Sequence, residues 1–141
     1  MVGWMAYLVL VAPVTVLVVT HRALGTTPVA IGFQLAGLAL VVWARLAFGW
    51  RSFYAGSSPT AGRLVTTGPY RFVRNPIYLG VLIALGAAVA THLDWTSIVC
   101  GTVAAGAIAV RIGSEERHVA ARFPQYRDYA RKTRRLIPFV F

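Results

Sequence analysis

Two short segments of this chain hold most of the side chains that can bind an ion or take part in acid–base chemistry. The first surrounds Arg74-Asn75-Pro76, with Tyr70 before it and Tyr78 after it. Asn before Pro is typical of a helix start, because the Asn side chain accepts from a free backbone amide and Pro fits the first helical position. We therefore expect Asn75 to cap a helix, with Arg74 and Tyr78 near an N-terminus that favours an anion. An ordinary membrane-interface anchor of Arg and Tyr is the alternative.

The second segment contains Arg111, the adjacent pair Glu115-Glu116, and His118, and it follows a long apolar stretch. Ionisable groups at the end of a membrane span are costly and usually face a cavity or a partner. Arg111 and Glu115 are one helical turn apart and are expected to pair, with Glu116 pointing elsewhere. A solvated helix end is the alternative. Glu115 and His118 also form Glu-x-x-His, but a di-iron site needs two such motifs and further carboxylates, so no metal site is predicted.

The elements that position these segments are predicted from composition. The chain has 141 residues, of which 57% are hydrophobic and 13% charged, and its mean hydropathy is +0.65. A soluble domain is about a quarter charged, and disorder requires low hydrophobicity, so a membrane protein of one domain is indicated. Apolar stretches at residues 2–20, 29–48, 77–91 and 95–112 predict four transmembrane helices. Pro13 would kink the first stretch, which membrane helices tolerate. A cleaved signal peptide is the alternative for this stretch and fits poorly, because no Lys or Arg precedes it and it is too long for the apolar region of such a peptide.

The third and fourth stretches are separated only by residues 92–94, so they are predicted to form a tight antiparallel hairpin. Small residues recur along both at four-residue spacing, which allows two membrane helices to approach closely. We expect these two ladders to pack against each other; they are Gly80, Ala84 and Ala88 on one helix and Ser97, Gly101, Ala105, Ala109 and Gly113 on the other.

The charges predict the orientation. Eleven of the fourteen basic residues lie in the loop 49–75 or the tail 113–141, and four spans place both segments on the same side of the membrane. By the positive-inside rule both termini are cytoplasmic. The many Arg and single Lys, with abundant Ala, Val and Gly, suggest a GC-rich bacterial genome and hence a bacterial inner membrane. Residues 125–135 predict a basic amphipathic helix on anionic lipid, with Tyr126, Tyr129, Ala130 and Thr133 on one face. Nucleic-acid binding is the other interpretation, and attachment to a membrane span disfavours it.

Several motifs in order carry a family resemblance. They are Gly68-Pro69-Tyr70-Arg71, Arg74-Asn75-Pro76-Ile77-Tyr78, Arg111-x-x-x-Glu115-Glu116, Phe123-x-x-Tyr126-x-x-Tyr129 and Ile137-Pro138. Together they resemble the isoprenylcysteine carboxyl methyltransferase family, to which the phospholipid N-methyltransferases and a sterol-reductase fold are related. The resemblance covers residues 64–138, about half of the chain. It departs from the family at Asn75, where many members have His, and at Pro124, where Gly is common.

The resemblance implies an all-α, polytopic membrane methyltransferase with a cytosolic S-adenosylmethionine pocket, arranged as residues 1–48 (two transmembrane helices), 49–75 (loop), 76–112 (hairpin) and 113–141 (cofactor-binding tail). It implies catalytic roles for Arg74, Arg111 and Glu116, with the arginines holding an acceptor carboxylate. It also implies that the cofactor is contacted by Tyr70, Asn75, Pro76, Tyr78, Leu79, Gly80, Glu115 and Glu116. Methyl transfer to an ionised carboxylate needs no general base, so positioning and desolvation carry the catalysis.

The expected acceptor is a lipophilic molecule that enters from the bilayer, with an isoprenylcysteine-like carboxylate favoured. A phospholipid or lipid-amine N-methyltransferase is the alternative within enzymes, and an amine acceptor would need a base from the glutamates or His118. A reductase on the related fold would need nicotinamide contacts that the sequence does not identify. A small non-enzymatic membrane protein that binds anionic lipid is the alternative from another class.

Overall fold

The computed structural model describes residues 2–49 and 64–137, with side chains from Val9 onward. Within these ranges the chain forms five α-helices and no strand, so the all-α prediction is confirmed. The helices are α1 (Val2–Val19), α2 (Pro28–Phe48), α3 (Pro76–Thr91), α4 (Trp95–Arg122) and α5 (Tyr126–Lys132), with a short 3₁₀ helix at Gly68–Arg71. Arg51, Arg63 and Pro138 lie outside the described residues.

Local sequence explains where the long helices begin. Thr27 precedes Pro28, and its hydroxyl accepts a hydrogen bond from the Ala30 amide at 3.2 Å at the start of α2. Asp94 caps α4 in the same way, because one carboxylate oxygen accepts from the Ser97 amide at 3.2 Å. Such caps satisfy amides that have no partner inside the helix. The α3–α4 link is therefore as short as predicted, and the hairpin is confirmed.

Two close helix pairs form the bundle: α2 packs along α3, and α1 packs along α4. At the α2–α3 contact, a Cβ built on Gly37 would lie 2.5 Å from the Gly80 carbonyl oxygen, and one on Gly80 would lie equally close to that of Gly37. The prediction that the Gly80 ladder packs on α4 is therefore wrong for that glycine, because its close neighbour is α2. A contact between α3 and α4 does exist where Val89 meets Gly101.

The predicted ladder on α4 is only partly buried. Ser97 and Gly101 are buried, but Ala109 is exposed. Four residues turn a helix by about 400°, so each step of a strict four-residue ladder moves about 40° around the axis and leaves the contact face. The buried stripe instead follows helical periodicity, through Ser97, Cys100, Gly101, Ala104, Ala107, Ile108 and Ile112.

Two helices of the described part, α2 with 21 residues and α4 with 28, are long and apolar enough to cross a membrane. The 16-residue α3 and the apolar segment Val9–Val19 of α1 are shorter than this requirement. Of the four predicted spans, two are therefore supported by the length and composition of helices in the described part of the chain. Large apolar side chains such as Leu35 and Val110 are exposed on α2 and α4, as expected for surfaces in contact with lipid.

The two ends of the bundle are chemically different. At one end, Arg22 pairs with Asp94 at 3.0 Å, and a His92 ring nitrogen lies 2.9 Å from the Leu24 carbonyl oxygen. These contacts join the α1–α2 loop to the α3–α4 link. The opposite end holds the start of α3, the polar part of α4, and α5. Because α4 continues to Arg122, Glu115 and Glu116 lie inside a helix rather than at its end as expected.

The predicted amphipathic helix is shorter than expected and packs on the protein. α5 covers Tyr126–Lys132, and Tyr126 and Thr133 of the expected apolar face are buried. The Tyr129 hydroxyl donates to the Tyr70 carbonyl oxygen at 2.7 Å. The expected apolar face of this helix is thus occupied by the chain itself. On the opposite face the charged side chains, such as Arg131 and Asp128, are exposed.

Candidate functional site

The site is assembled where the C-terminal tail returns to the start of α3. The Arg74 amide donates to the Arg134 carbonyl oxygen at 2.7 Å, and the Arg134 amide donates to the Phe72 carbonyl oxygen at 3.2 Å. This bridge beside Val73 joins residues that are about sixty positions apart in sequence. It brings the tail next to both polar segments that the sequence identifies.

Glu116 is the centre of the first group of side chains, which we call the tail cluster: Arg74, Asn75, Glu116 and Arg135. Its Oε1 accepts from Arg74 Nε at 3.1 Å and from Asn75 Nδ2 at 3.0 Å. Its Oε2 accepts from Arg135 Nε at 3.0 Å, and Arg135 Nη2 lies at 2.9 Å. The Glu116 side chain is 12% exposed and that of Arg74 is 13% exposed. The carboxylate is thus bonded on both oxygens by other parts of the chain.

The remaining donors of the tail cluster also bind the tail. Arg74 Nη1 donates to the carbonyl oxygens of Ala130 and Thr133, both at 2.7 Å. Asn75 Nδ2 donates to the Arg135 carbonyl oxygen at 3.0 Å. The prediction that the Asn75 side chain caps α3 is therefore wrong: it makes no capping bond, although Pro76 does occupy the first turn. The Asn75 side chain instead uses Nδ2 as a donor to the Glu116 carboxylate, a charge-assisted bond that joins the start of α3 to α4.

A second group, the Tyr78 cluster, consists of Tyr78, Arg111 and Glu115. Arg111 Nη2 donates to Glu115 Oε1 at 2.6 Å, so the predicted pairing is confirmed. The Tyr78 hydroxyl donates to the same oxygen at 2.6 Å and accepts from Arg111 Nε at 2.9 Å. No hydrogen bond to Oε2 of Glu115 is formed within the described part of the chain, and this side chain is 42% exposed. Successive residues lie about 100° apart on a helix, so the two glutamates face different surroundings.

Two tyrosines lie near the clusters: Tyr70 near Glu115, and Tyr129 near Arg74 and Glu116. Tyr70 is buried, with its ring 5.7 Å from that of Phe48, and its carbonyl oxygen accepts from Tyr129. Burial raises the pKa of Tyr70 to about 12, with the Arg45 charge opposing the shift and the Glu115 charge adding to it. Burial likewise raises the pKa of Tyr129 to about 12. Both hydroxyls are therefore neutral hydrogen-bond donors at physiological pH.

The structure brings most of the candidate residues together, and it separates a few from the polar groups. Pro76 is buried at the start of α3, and Leu79 is half-buried one turn later. Gly80 lies against Gly37 of α2, so its small size serves helix packing there. The sequence does not identify Arg135 as a site residue, because its position in a run of basic residues does not indicate that it bonds the buried Glu116. Its role depends on the return of the tail.

The chemistry of the arrangement follows from which groups are already bonded. The tail cluster bonds its carboxylate internally, whereas the Tyr78 cluster presents one carboxylate edge to solvent beside a phenol and a guanidinium. Glu115 can accept hydrogen bonds from a cationic or hydroxyl-bearing ligand, and Arg111 can bind an anionic group. Within residues 2–49 and 64–137, no three His, Cys, Asp or Glu side chains form a group that could hold a metal ion.

Comparison with known proteins agrees with the family resemblance. The chain matches the phospholipid methyltransferase family over residues 26–126, which is more than half of its length. It is 35% identical over 88 residues to methanethiol S-methyltransferase 1 of Bradyrhizobium diazoefficiens, covering 60% of the chain and 29% of that protein. No solved structure matches the chain.

Two further relatives are named for metal resistance. The chain is 30% identical over 113 residues to the cobalt-zinc-cadmium resistance protein CzcN of Cupriavidus metallidurans, covering 79% of the chain and 50% of the relative. It is 29% identical over 136 residues to the nickel-cobalt-cadmium resistance protein NccN of Alcaligenes xylosoxydans xylosoxydans, covering 92% and 62%. The chain therefore spans only about half to three fifths of the length of these two relatives.

Proposed function

The chain belongs to the phospholipid methyltransferase family, and we propose that it is an integral-membrane methyltransferase that uses S-adenosylmethionine to methylate a lipophilic acceptor. The observation that carries this proposal is the Tyr78 cluster, in which the carboxylate of Glu115 is held by Tyr78 and Arg111 on one oxygen and is 42% exposed. This cluster lies at the end of the bundle where α4 becomes polar.

The residues present suit the proposed cofactor. S-adenosylmethionine, when bound, supplies an electrophilic methyl group on a sulfonium centre. Glu115 can accept from an ammonium or a ribose hydroxyl, and its charge offsets a nearby positive one. The half-buried Tyr78 provides aromatic surface, which attracts cations and packs against flat rings, whereas Tyr70 is buried with its ring near that of Phe48. Arg111 places a positive charge beside Glu115, and this charge attracts the carboxylate of a ligand.

The two adjacent glutamates have different roles in this proposal. Glu115 contacts the ligand, whereas Glu116 holds the tail against the start of α3 through Arg74 and Arg135. Arg74 is directed at the same time to the carbonyl oxygens of Ala130 and Thr133. We therefore assign Arg74 and Glu116 as positioning residues, and Arg111 as the residue that binds the acceptor or cofactor carboxylate.

The acceptor is proposed to carry an anionic nucleophile, with the carboxylate of an isoprenylcysteine-like molecule favoured. A carboxylate needs no base, whereas an ammonium must lose a proton before it can attack. His118 is poorly placed as that base, because it is exposed and its Nδ1 lies 2.7 Å from the Ser114 carbonyl oxygen. A thiolate also needs little help from a base, and the relative named methanethiol S-methyltransferase 1 makes a thiol the second candidate.

The proposed location is a bacterial inner membrane with both termini in the cytoplasm. In this arrangement α1 and α3 join α2 and α4 as spans, and the flanking residues extend the 16-residue α3 into the interface. Exposed basic side chains of the polar end, including Arg71 and Arg131, then contact anionic lipid headgroups.

Cofactor binding tests the proposal directly. Calorimetric titration of the detergent-purified protein with S-adenosylmethionine or S-adenosylhomocysteine should give dissociation constants in the micromolar range. Glu115→Gln should weaken binding at least tenfold. Asp128→Asn is the matched control. It removes a carboxylate that is 77% exposed and whose described ion pair, with Arg131, is 3.9 Å long. This variant should bind the cofactor normally.

A radiolabelled methyl-transfer assay then identifies the acceptor. S-prenylcysteine analogues, thiols, phosphatidylethanolamine and native lipid extract are compared, and label in a methyl ester supports a carboxylate acceptor. Label in phosphatidylethanolamine would instead identify a lipid-amine methyltransferase. Folded protein that binds neither cofactor form would refute the enzyme proposal and leave a non-enzymatic lipid-binding protein.

A further inference from the structure

Two exposed side chains, Arg71 and Phe72, lie where the turn before α3 packs against the end of α2. A Cβ built on Gly68 in this turn would lie 3.5 Å from the Trp43 indole nitrogen. Trp side chains are typical of the boundary between lipid and water, and Leu46 is the last large apolar side chain exposed on α2. When α2 spans a membrane, Arg71 and Phe72 are therefore at the depth of the lipid headgroups.

Arg71 and Phe72 also contact each other. The guanidinium carbon of Arg71 lies 4.8 Å from the centroid of the Phe72 ring, and Phe72 is 45% exposed. The face of an aromatic ring attracts a cation, so the ring helps to hold the guanidinium in place. An apolar ring beside a charged group suits a surface that is in contact with both lipid tails and headgroups.

The C-terminal tail adds a second arginine at this position. The Arg134 amide donates to the Phe72 carbonyl oxygen at 3.2 Å, and the Arg134 carbonyl oxygen accepts from the Arg74 amide at 2.7 Å. The Arg134 side chain is exposed. We call Arg71, Phe72 and Arg134 the interfacial patch; it joins two segments that are about sixty residues apart in sequence.

The acidic residues of the chain do not neutralise this patch. All four are described, and each pairs with arginines outside the patch: Asp94 with Arg22, Glu115 with Arg111, Glu116 with Arg74 and Arg135, and Asp128 with Arg131. Within the described part of the chain, Arg71 and Arg134 therefore form no ion pair with an acid. Their charge is complementary to the anionic headgroups of a cytoplasmic leaflet.

The same stretch of tail also belongs to the tail cluster. The Thr133 carbonyl oxygen accepts from Arg74 Nη1 at 2.7 Å, and Arg135 bonds Glu116. Because residues 133–135 are consecutive, an opening that separates Arg134 from Phe72 also disturbs these bonds. A headgroup that contacts both Arg71 and Arg134 can bind in this way only while the tail is in place.

We propose that anionic phospholipid headgroups bind at the interfacial patch and hold the C-terminal tail closed, so that lipid charge regulates the site beside the tail. A ligand that binds only the closed tail shifts the equilibrium towards that state. The lipid is an effector in this inference and not the methyl acceptor. Its effect on cofactor binding rests on the proposed methyltransferase function, whereas its effect on the tail does not.

The test compares the native protein in phosphatidylcholine nanodiscs with and without phosphatidylglycerol, which has no amine to methylate. Hydrogen exchange of the tail is followed by mass spectrometry, and S-adenosylhomocysteine affinity is measured in the same discs. Phosphatidylglycerol should slow exchange of the Arg134 amide about fivefold or more, since one arginine near an anionic surface contributes about that factor. Raising the salt concentration should reduce the effect.

Substitutions identify the residues that respond to the lipid. Arg71→Gln and Arg134→Gln should each reduce the effect of phosphatidylglycerol to about twofold or less. Arg122→Gln removes the same charge at an exposed position of α4 outside the patch and should keep the native response. Each variant is compared with itself in the two lipids, so a change in its basal stability does not alter the result.

Several results would overturn the inference. They are equal tail exchange in the two lipids, a full lipid effect in both patch variants, and an equal loss of the effect in Arg122→Gln. Slowing by soluble glycerol phosphate to the same extent would identify a free phosphate as the ligand and would also overturn it.

The cofactor measurement separates this inference from the proposed function. Phosphatidylglycerol should strengthen S-adenosylhomocysteine binding, and slower tail exchange with unaltered affinity would overturn the regulatory part. Native protein that binds no cofactor would refute the enzyme proposal. Slower tail exchange in phosphatidylglycerol would then still support lipid binding at the interfacial patch.

Discussion

Replacing Glu116 by Gln should release the C-terminal tail from the start of α3. The substitution keeps the size of the side chain and removes its charge. The native carboxylate accepts from Arg74, Asn75 and Arg135, which belong to two separate parts of the chain. Without the charge, Arg74 keeps its bonds to the carbonyl oxygens of Ala130 and Thr133, and its bond to residue 116 becomes a weaker one to a neutral oxygen.

The magnitude follows from burial. Removing one partner of a buried ion pair costs about 3–5 kcal/mol, because the other charge is left without compensation. The Arg74 side chain is 13% exposed, so it counts as the buried partner of such a pair. The Gln oxygen still accepts a hydrogen bond, which reduces the loss of stability. Arg135 is 43% exposed, so its pair contributes little, as surface pairs do. We expect a loss of about 2–3 kcal/mol, or roughly a 30- to 150-fold increase in tail opening.

Hydrogen exchange of tail peptides, followed by mass spectrometry in detergent, measures this opening. The Arg134 amide donates to the Phe72 carbonyl oxygen in the native protein, so its exchange rate reports release of the tail. The Thr133 amide donates to the Tyr129 carbonyl oxygen within the tail, so its exchange rate reports local opening of α5. Glu115→Gln is the matched control, since Glu115 has no described bond to the tail. It should leave tail exchange unchanged while it weakens cofactor binding.

Two results would refute the reasoning. Tail exchange in Glu116→Gln within threefold of the native rate would mean that the tail cluster does not hold the tail. Equal acceleration by Glu115→Gln and Glu116→Gln would mean that the adjacent glutamates act as one unit. Tail release that leaves S-adenosylhomocysteine affinity unaltered would contradict only the positioning role of Glu116.

Three further predictions concern packing, alkaline pH and the Tyr78 cluster. Gly80→Ala should destabilise the bundle by about 1–3 kcal/mol in thermal unfolding, because its Cβ would meet the Gly37 carbonyl oxygen. A Cβ on Gly86 would have no heavy atom within 4 Å, so Gly86→Ala should be neutral or stabilising. Equal changes in unfolding temperature for the two variants would argue against the α2–α3 contact. The pKa of Tyr129 is raised from 10 to about 12, so its contribution to stability is complete below pH 10 and is lost as the pH rises towards 12. Tyr129→Phe should flatten part of that alkaline loss in unfolding curves followed by circular dichroism, and an unchanged profile would contradict the assignment. Tyr78→Phe removes bonds to two charged partners and should weaken S-adenosylhomocysteine binding about tenfold in calorimetry, whereas unaltered affinity would move the ligand away from this cluster.

Features that depend on near neighbours were predictable from the sequence. Apolar runs and capping residues predict the long helices, and three linking residues predict the α3–α4 hairpin. The pairing of Arg111 with Glu115 also follows from sequence, because one helical turn brings side chains at this spacing together whatever the rest of the fold does.

Features that depend on which faces meet were decided by the tertiary structure. Glu116 has partners 41 and 42 residues away, and no local pattern identifies them. The tail returns to Val73, and its Arg135 carbonyl oxygen accepts a hydrogen bond from the Asn75 side chain. The sequence around Asn75 predicts a helix cap instead. Gly80 packs on α2 because the rotation of α3 about its axis is set by the whole bundle. The sequence by itself determines helices and their nearest pairs, since helical geometry is local. The separate environments of the two glutamates required the folded chain, because burial and long-range partners exist only there.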